Sequence, residues 1–307
     1  MTGWALILGA LANICHAQAP EKPTIPDPED LTLKTKDLVQ LQCTFYPGGF
    51  RQAGEDVETV DGKTVVPILL VHGWDEKRQD LSFLAKGLQS LGHAVMVPDL
   101  RGHGRSTKRV DLAGKEHELD RERFRRQDIA AMVEDLWTCK RHLMALNNEG
   151  KLNIEMLTVI GGEVGAITAL NFVALDWSRP PLPTMKQGQD VKAFILLSPE
   201  TSFKGVTAQQ ALRQPAVAGE VDGLIIVGAR DKAVNDVQRM YDQLSRHRKE
   251  DERDLFLLKP DTSLTGFRMV PARGLNVGVA IIKFINARIV TRADEYPWRD
   301  RTSFLNK

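Results

Sequence analysis

A glutamate flanked by glycines is the residue of this chain best placed to do chemistry. Gly161-Gly162-Glu163-Val164-Gly165 follows the apolar run Met156-Leu157-Thr158-Val159-Ile160 and precedes helix-like residues at 166–175. A strand that turns sharply into a helix lifts the side chain at the apex above the sheet, and glycines beside it let strand and helix pack closely. An apical carboxylate can attack carbon, move a proton or bind a cation. It can equally accept backbone N–H bonds at the start of its own helix, where the dipole favours an anion. His72 ends an apolar run at 65–71 and Asp231 follows another at 223–227, so all three residues belong at one edge of a common sheet. Together they could form an acid–base pair or a weak metal site. Separately, His72 suits a structural turn, and Asp231 precedes Ala233-Val234, where it can cap a helix.

These side chains need a sheet beneath them. Residues 38–46 alternate and are rich in β-prone types, with Pro47-Gly48-Gly49 as the stop. Residues 65–71 (VVPILLV) are continuously apolar, the mark of a strand covered on both faces. Residues 94–98, 156–160, 191–197, 223–227 and 254–258 read as further strands, with helices at 80–91, 128–146, 166–175, 233–245 and 276–290. In the first helix Leu81, Leu84, Leu88 and Leu91 make one stripe, and Gly92 ends it. Strands alternating with helices predict a single α/β domain with a doubly wound, mostly parallel sheet. Little or no lid can cover it; the candidates are 178–190 and 200–220.

Outside that domain the chain reads differently. Residues 4–12 (WALILGALA) are uncharged and apolar but too short to cross a bilayer, and Ala17-Gln18-Ala19 before Pro20 fits a small–x–small cleavage site. The expected organisation is an export signal at 1–19, a proline-rich linker at 20–36, the folded domain at 37–292 and a C-terminal tail at 293–307. That places the protein in the periplasm, in the cell envelope or outside the cell, with no transmembrane span once the signal is removed. A net charge of +1 sets up no field for nucleic acid. Arg121, Arg123, Arg125 and Arg126 are offset by Asp111, Glu116, Glu118, Asp120 and Glu122, so that stretch reads as a solvated loop and helix start. No motif calls for a cofactor or a metal. Cys43, on a strand, and Cys139, in mid-helix, read as buried free thiols.

Four signatures occur in a telling order: Leu70-Val71-His72-Gly73-Trp74, then Val97-Pro98-Asp99-Leu100-Arg101-Gly102-His103-Gly104-Arg105-Ser106, then the Glu163 turn, then Gly228-Ala229-Arg230-Asp231. In this the chain resembles the α/β-hydrolase superfamily over residues 65–290, most closely its lysophospholipase-like and peptidase-like serine hydrolases. It also resembles exported bacterial members with Gly-x-Glu-x-Gly at the nucleophile elbow. The resemblance implies the α/β-hydrolase fold. It implies that Trp74 and Val164 stand where two oxyanion N–H donors belong, with His72 and Gly73 in the turn presenting the first. Asp231 takes the position of the triad acid and Glu163 that of the serine. The triad histidine belongs near 261–266 (DTSLTG), where there is none, and His247 is the last histidine of the chain.

Haloalkane dehalogenases and epoxide hydrolases of this superfamily use an elbow aspartate, with a histidine to activate water. Glu163 reaches one methylene further, misplacing the attacking oxygen by about an ångström at a cost on the order of a hundredfold. An anion there also opposes an oxyanion a few ångströms away. The resemblance therefore implies a pseudoenzyme: an exported member with a degenerate triad, binding or scaffolding an unknown small molecule or protein. A site over Glu163 would favour a cationic or hydrogen-bond-donating ligand. The alternative is an unusual hydrolase of an ester, epoxide or related small substrate, working through Glu163, Asp231 and His72. A third reading is a subunit whose partner supplies the chemistry.

Overall fold

Eight strands build the central sheet of the computed structural model, which describes residues 22–182, 186–246, 248 and 254–302. The expected export signal, His247 and residues 303–307 of the expected tail lie outside these. We number the sheet strands β1 Glu29–Lys34, β2 Gln40–Tyr46, β3 Pro67–Val71, β4 Ala94–Pro98, β5 Leu157–Gly162, β6 Val191–Leu197, β7 Asp222–Ile226 and β8 Leu255–Leu258. They lie in the order β1-β2-β4-β3-β5-β6-β7-β8. β1, β2 and β4 pair antiparallel, and every neighbour from β4 to β8 pairs parallel. The sheet is doubly wound and mostly parallel, as the alternation of elements predicts.

Among the described residues five helices of eight residues or more cover it: α1 Ser82–Gln89, α2 Arg126–Asn148, α3 Val164–Trp177, α4 Val234–Ser245 and α5 Val277–Arg288. The period of two along each strand divides the core. Leu69 and Val71 of β3 face the cluster built with α2, α3 and α4. Ile68 and Leu70 face the one built with α1 and α5. Register then aligns the strand ends that matter. Val71 pairs with Gly161, Gly162 with Leu197, and Leu197 with Ile226, so the residues that follow β3, β5, β6 and β7 emerge together at the carboxyl edge.

Three expectations change. β1 lies inside the stretch expected to be a linker: Leu31 and Leu33 pack against the core while Asp30 and Thr32 face outward. The prolines before it and the charges around it hide a short edge strand. Leu91 does not extend the α1 stripe, because the helix ends at Gln89 and Leu91 is 36% exposed. The described part of the expected tail is also packed. Arg301 is buried and ion-pairs with Asp190 and Glu155, carboxylates that burial obliges to find a cation.

Candidate functional site

The turn between β5 and α3 has the strained geometry its sequence predicts. Glu163 sits at φ 51°, ψ −117°, a conformation that suits glycine and strains a side-chain-bearing residue. Tertiary contacts hold it there. The Glu163 N–H donates to the Leu197 carbonyl at 2.9 Å, and its carbonyl accepts from Ala166 at 3.1 Å. A Cβ at Gly165 would lie 2.3 Å from the His72 carbonyl oxygen, and one at Gly161 would lie 2.7 Å from that of Gly165. Backbone on both sides closes the space, so these two positions require glycine.

The Glu163 carboxylate does not cap its own helix. It reaches across to the loop after β8. Its Oε1 accepts from the Thr265 hydroxyl at 2.5 Å and from the Arg268 guanidinium at 3.2 Å, and Arg268 also bonds Thr265. Thr265 thus occupies the stretch, 261–266, in which the resemblance places a histidine. Thr265 and Arg268 carry no motif; only their position after the last strand could have pointed to them.

Two further carboxylates, also missed in the sequence, crowd the same place. Glu76 Oε2 accepts the Gly73 N–H at 2.8 Å. Burial, with the nearby charge of Glu163, raises the Glu76 pKa. Burial and the same charge raise that of Glu200, whose N–H donates to the Glu163 carbonyl at 3.4 Å. Acid groups therefore surround the turn that would have to stabilise an oxyanion.

His72 is not brought to Glu163 as a base. Its Nε2 accepts the Leu100 N–H at 3.0 Å, which leaves Nδ1 to donate to the Gly73 carbonyl at 2.7 Å. Both ring nitrogens are used, and the ring is fully buried. Burial, helped by His103, lowers its pKa to about 4 and keeps it neutral. His72 fixes the turn after β3 onto the 99–106 turn, which corrects its use in the alternative mechanism. That second turn is structural throughout. Asp99 accepts from the Arg78 and Arg105 N–H groups, Arg101 grips Asp135, and Ser106 bonds Gln42 and the Asp99 carbonyl.

Trp74 is covered. Its ring packs against Phe203 at 4.7 Å and His103 at 4.8 Å, with the Lys204 ammonium 4.6 Å from its centroid. Phe203 and Lys204 belong to a small hairpin, Ser202–Phe203 with Val206–Thr207, pinned by Lys204 to the Arg121 carbonyl at 3.1 Å. The Trp74 carbonyl receives Arg121. Val164 opens α3 and is buried.

Asp231 is 5% exposed and holds the turn before α4 by accepting the Ala233 N–H at 2.9 Å on Oδ1. Its Oδ2 is buried with no hydrogen-bond partner. An orphaned buried carboxylate oxygen is costly. The buried Ser198 Oγ, just past β6, is likewise unpartnered. Among the described residues no three His, Cys, Asp or Glu side chains converge as a metal ion would require, so the weak metal site drawn from His72, Glu163 and Asp231 is not assembled.

Comparison with known proteins agrees with this fold. The family described as serine aminopeptidase, S33, matches residues 62–214. No curated protein sequence matches the chain. Among solved structures, an esterase of Pyrococcus furiosus is similar at 14% identity and TM-score 0.56, covering 85% of this chain and 91% of its own. An esterase of the planctomycete Thermogutta terrifontis with propionate bound gives 15% and 0.56, covering 89% and 96%. An esterase of Pyrobaculum calidifontis gives 14% and 0.58, covering 89% and 87%. Identities this low carry the fold and leave the chemistry to the residues.

Proposed function

We propose that this chain, which belongs to the α/β-hydrolase superfamily, binds a ligand at its carboxyl edge without cleaving it. One observation carries the reading: the carboxylate at the nucleophile position is tied to Thr265 and Arg268, in the loop where a hydrolytic base would have to stand. The supporting electrostatics run the same way. Glu163, Glu76 and Glu200 oppose a developing oxyanion but suit a cationic or hydrogen-bond-donating group. Purified protein is expected to hydrolyse p-nitrophenyl acetate no faster than its Glu163→Ala variant. A wild-type rate abolished by that substitution would defeat the proposal. Glu163→Ser combined with Thr265→His should then raise the rate at least about tenfold above Glu163→Ser alone, since a positioned base adds that much or more and Asp231 Oδ2 is free to orient it.

The esterases among the similar structures favour a second reading, hydrolysis of an ester or epoxide through Glu163 and Asp231. His72 cannot serve it, because both its nitrogens are engaged. A carboxylate nucleophile would be trapped as a covalent ester by an epoxide probe, and an unlabelled Glu163 ends that reading. Export remains part of the proposal, on the apolar run at 4–12 and the Ala17-Gln18-Ala19 site. N-terminal sequencing of protein from the native host tests it: a chain beginning at Met1 in the cytoplasm counts against export.

A further inference from the structure

Cys43 lies in the middle of β2 and Cys139 in α2, separated by 96 positions in sequence, yet their Sγ atoms stand 3.9 Å apart. Both side chains are fully buried in the same core cluster. The sequence offers no means of placing them together, and reads each as a lone buried thiol. A disulfide needs the sulfurs about 2 Å closer, at roughly 2.05 Å. Torsion about the two Cα–Cβ bonds moves sulfurs over such distances. We propose that Cys43 and Cys139 form an intramolecular disulfide when the chain folds in the presence of a small disulfide or a dithiol-disulfide oxidoreductase.

The reaction balances as two thiol–disulfide exchanges. One cysteine thiolate attacks a sulfur of glutathione disulfide and expels a glutathione thiolate. The second cysteine thiolate then attacks the mixed disulfide, closes the Cys43–Cys139 bond and expels the other. Two thiol protons leave the protein and two glutathione thiols are formed. Timing follows from burial, which with the adjacent Cys43 raises the Cys139 thiol well above its ordinary pKa. In the folded, reduced protein burial keeps the Cys139 thiol protonated and gives an oxidant no access to either sulfur, so the bond forms during folding and is shielded afterwards. Its stabilising effect is large for so long a loop. The inference is independent of what the carboxyl edge binds.

The test uses the full chain carrying Cys15→Ser, so that Cys43 and Cys139 are its two cysteines, unfolded in urea with dithiothreitol and refolded in reduced and oxidised glutathione. The expected product is a monomer about 2 Da lighter than the reduced protein, without alkylatable cysteine. Its Tm should lie about 5–10 °C above the reduced form and fall back on reduction. Cys43→Ala and Cys139→Ala should lose this redox-dependent shift, with Cys43→Val replacing an alanine variant that fails to fold. Two alkylatable thiols after oxidative refolding overturn the proposal. So do glutathione adducts alone, disulfide-linked dimers, an oxidised Tm no higher than the reduced one, or a shift that survives in either single variant.

Discussion

At the amino ends of β5 and β6, buried charges meet buried countercharges. Lys140, with no exposed surface, sits between Asp176 and Asp190. Asp176 also accepts the N–H groups of Asp190 and Val191, at 2.7 and 3.0 Å. Arg301 joins Asp190 to Glu155, and Lys186 bridges the same two acids. At the carboxyl ends of β5, β6 and β7 the accounts stay open: Glu163 is held at positive φ, and Asp231 Oδ2 and Ser198 Oγ are buried without partners. The amino edge spends its polar groups on holding strands and helices in place. The carboxyl edge carries backbone strain at Glu163, while unpartnered buried atoms occur at both edges, Arg301 Nε and Asp254 Oδ1 among those of the amino edge.

The comparison breaks most visibly at Lys140. Lys140→Met fills the volume but leaves Asp176 and Asp190 buried beside one another without the cation between them. Loss of one partner from a buried pair costs about 3–5 kcal/mol, and urea unfolding should report it as a lowered midpoint. No substitution of Glu163 should approach that loss. If Lys140→Met unfolds with the wild-type midpoint, the amino edge is not the anchor described.

The two edges should also fail at different pH. His72 is held neutral with its pKa lowered from 6.5 to about 4. The unfolded chain protonates first, so this contribution is whole above pH 6.5 and drains away as pH falls through 4, roughly 3 kcal/mol in all. Asp190 is the opposite kind of group, an acid lowered from 3.8 to about 2; Lys140, Lys186 and Arg301 outweigh the burial that opposes ionisation. Its contribution is whole above pH 3.8 and is lost as pH falls through 2, roughly 2 kcal/mol. His93, at the amino end of β4, also has its pKa lowered to about 4 by burial, so the measurement is made in a His93→Gln background. There His72→Asn should shrink the upper window of unfolding free energy against pH, the rest of which belongs to His103 and His142, whose pKa values burial also lowers, and Asp190→Asn should flatten the lower one. An upper window unmoved by His72→Asn would detach it from the carboxyl edge.

The sequence reveals these edges unequally. Strands buried on both faces announce themselves as unbroken apolar runs, so β3 and β6 are legible to within two residues. The Glu163 turn is legible because strain demands glycine, and Asp231 because its turn is a recognisable motif. Glu76, Thr265 and Arg268 are not legible, since what makes them part of the site is a crossing between loops far apart in the chain. The amino edge is the hardest to read. Lys140, Asp176, Asp190 and Arg301 look like ordinary charged residues, and only the fold puts them out of reach of water. β1 escapes for a milder reason, four residues of alternation at a proline-rich border being too faint a signal.

A smaller effect, of opposite sign, tests whether the carboxyl edge stores strain. Positive φ by itself does not separate the edges, since Gln189 beside Asp190 has φ 62°. Glu163 differs in combining φ 51° with ψ −117°, outside the left-handed helical basin that side-chain-bearing residues tolerate. Alanine at 163 removes the carboxylate and its bonds to Thr265 and Arg268 but keeps the Cβ and hence the strain. Glycine removes both. Glu163→Gly should therefore be more stable than Glu163→Ala by about 1 kcal/mol, even though glycine ordinarily lowers stability through the freedom it gives the unfolded chain. Urea midpoints of the two variants, measured side by side at pH 7, decide the matter. Were glycine the less stable, the turn would be relaxed, and the contrast between an anchoring edge and a strained one would be lost, since unpartnered buried atoms such as Arg301 Nε and Asp254 Oδ1 occur at the amino edge too.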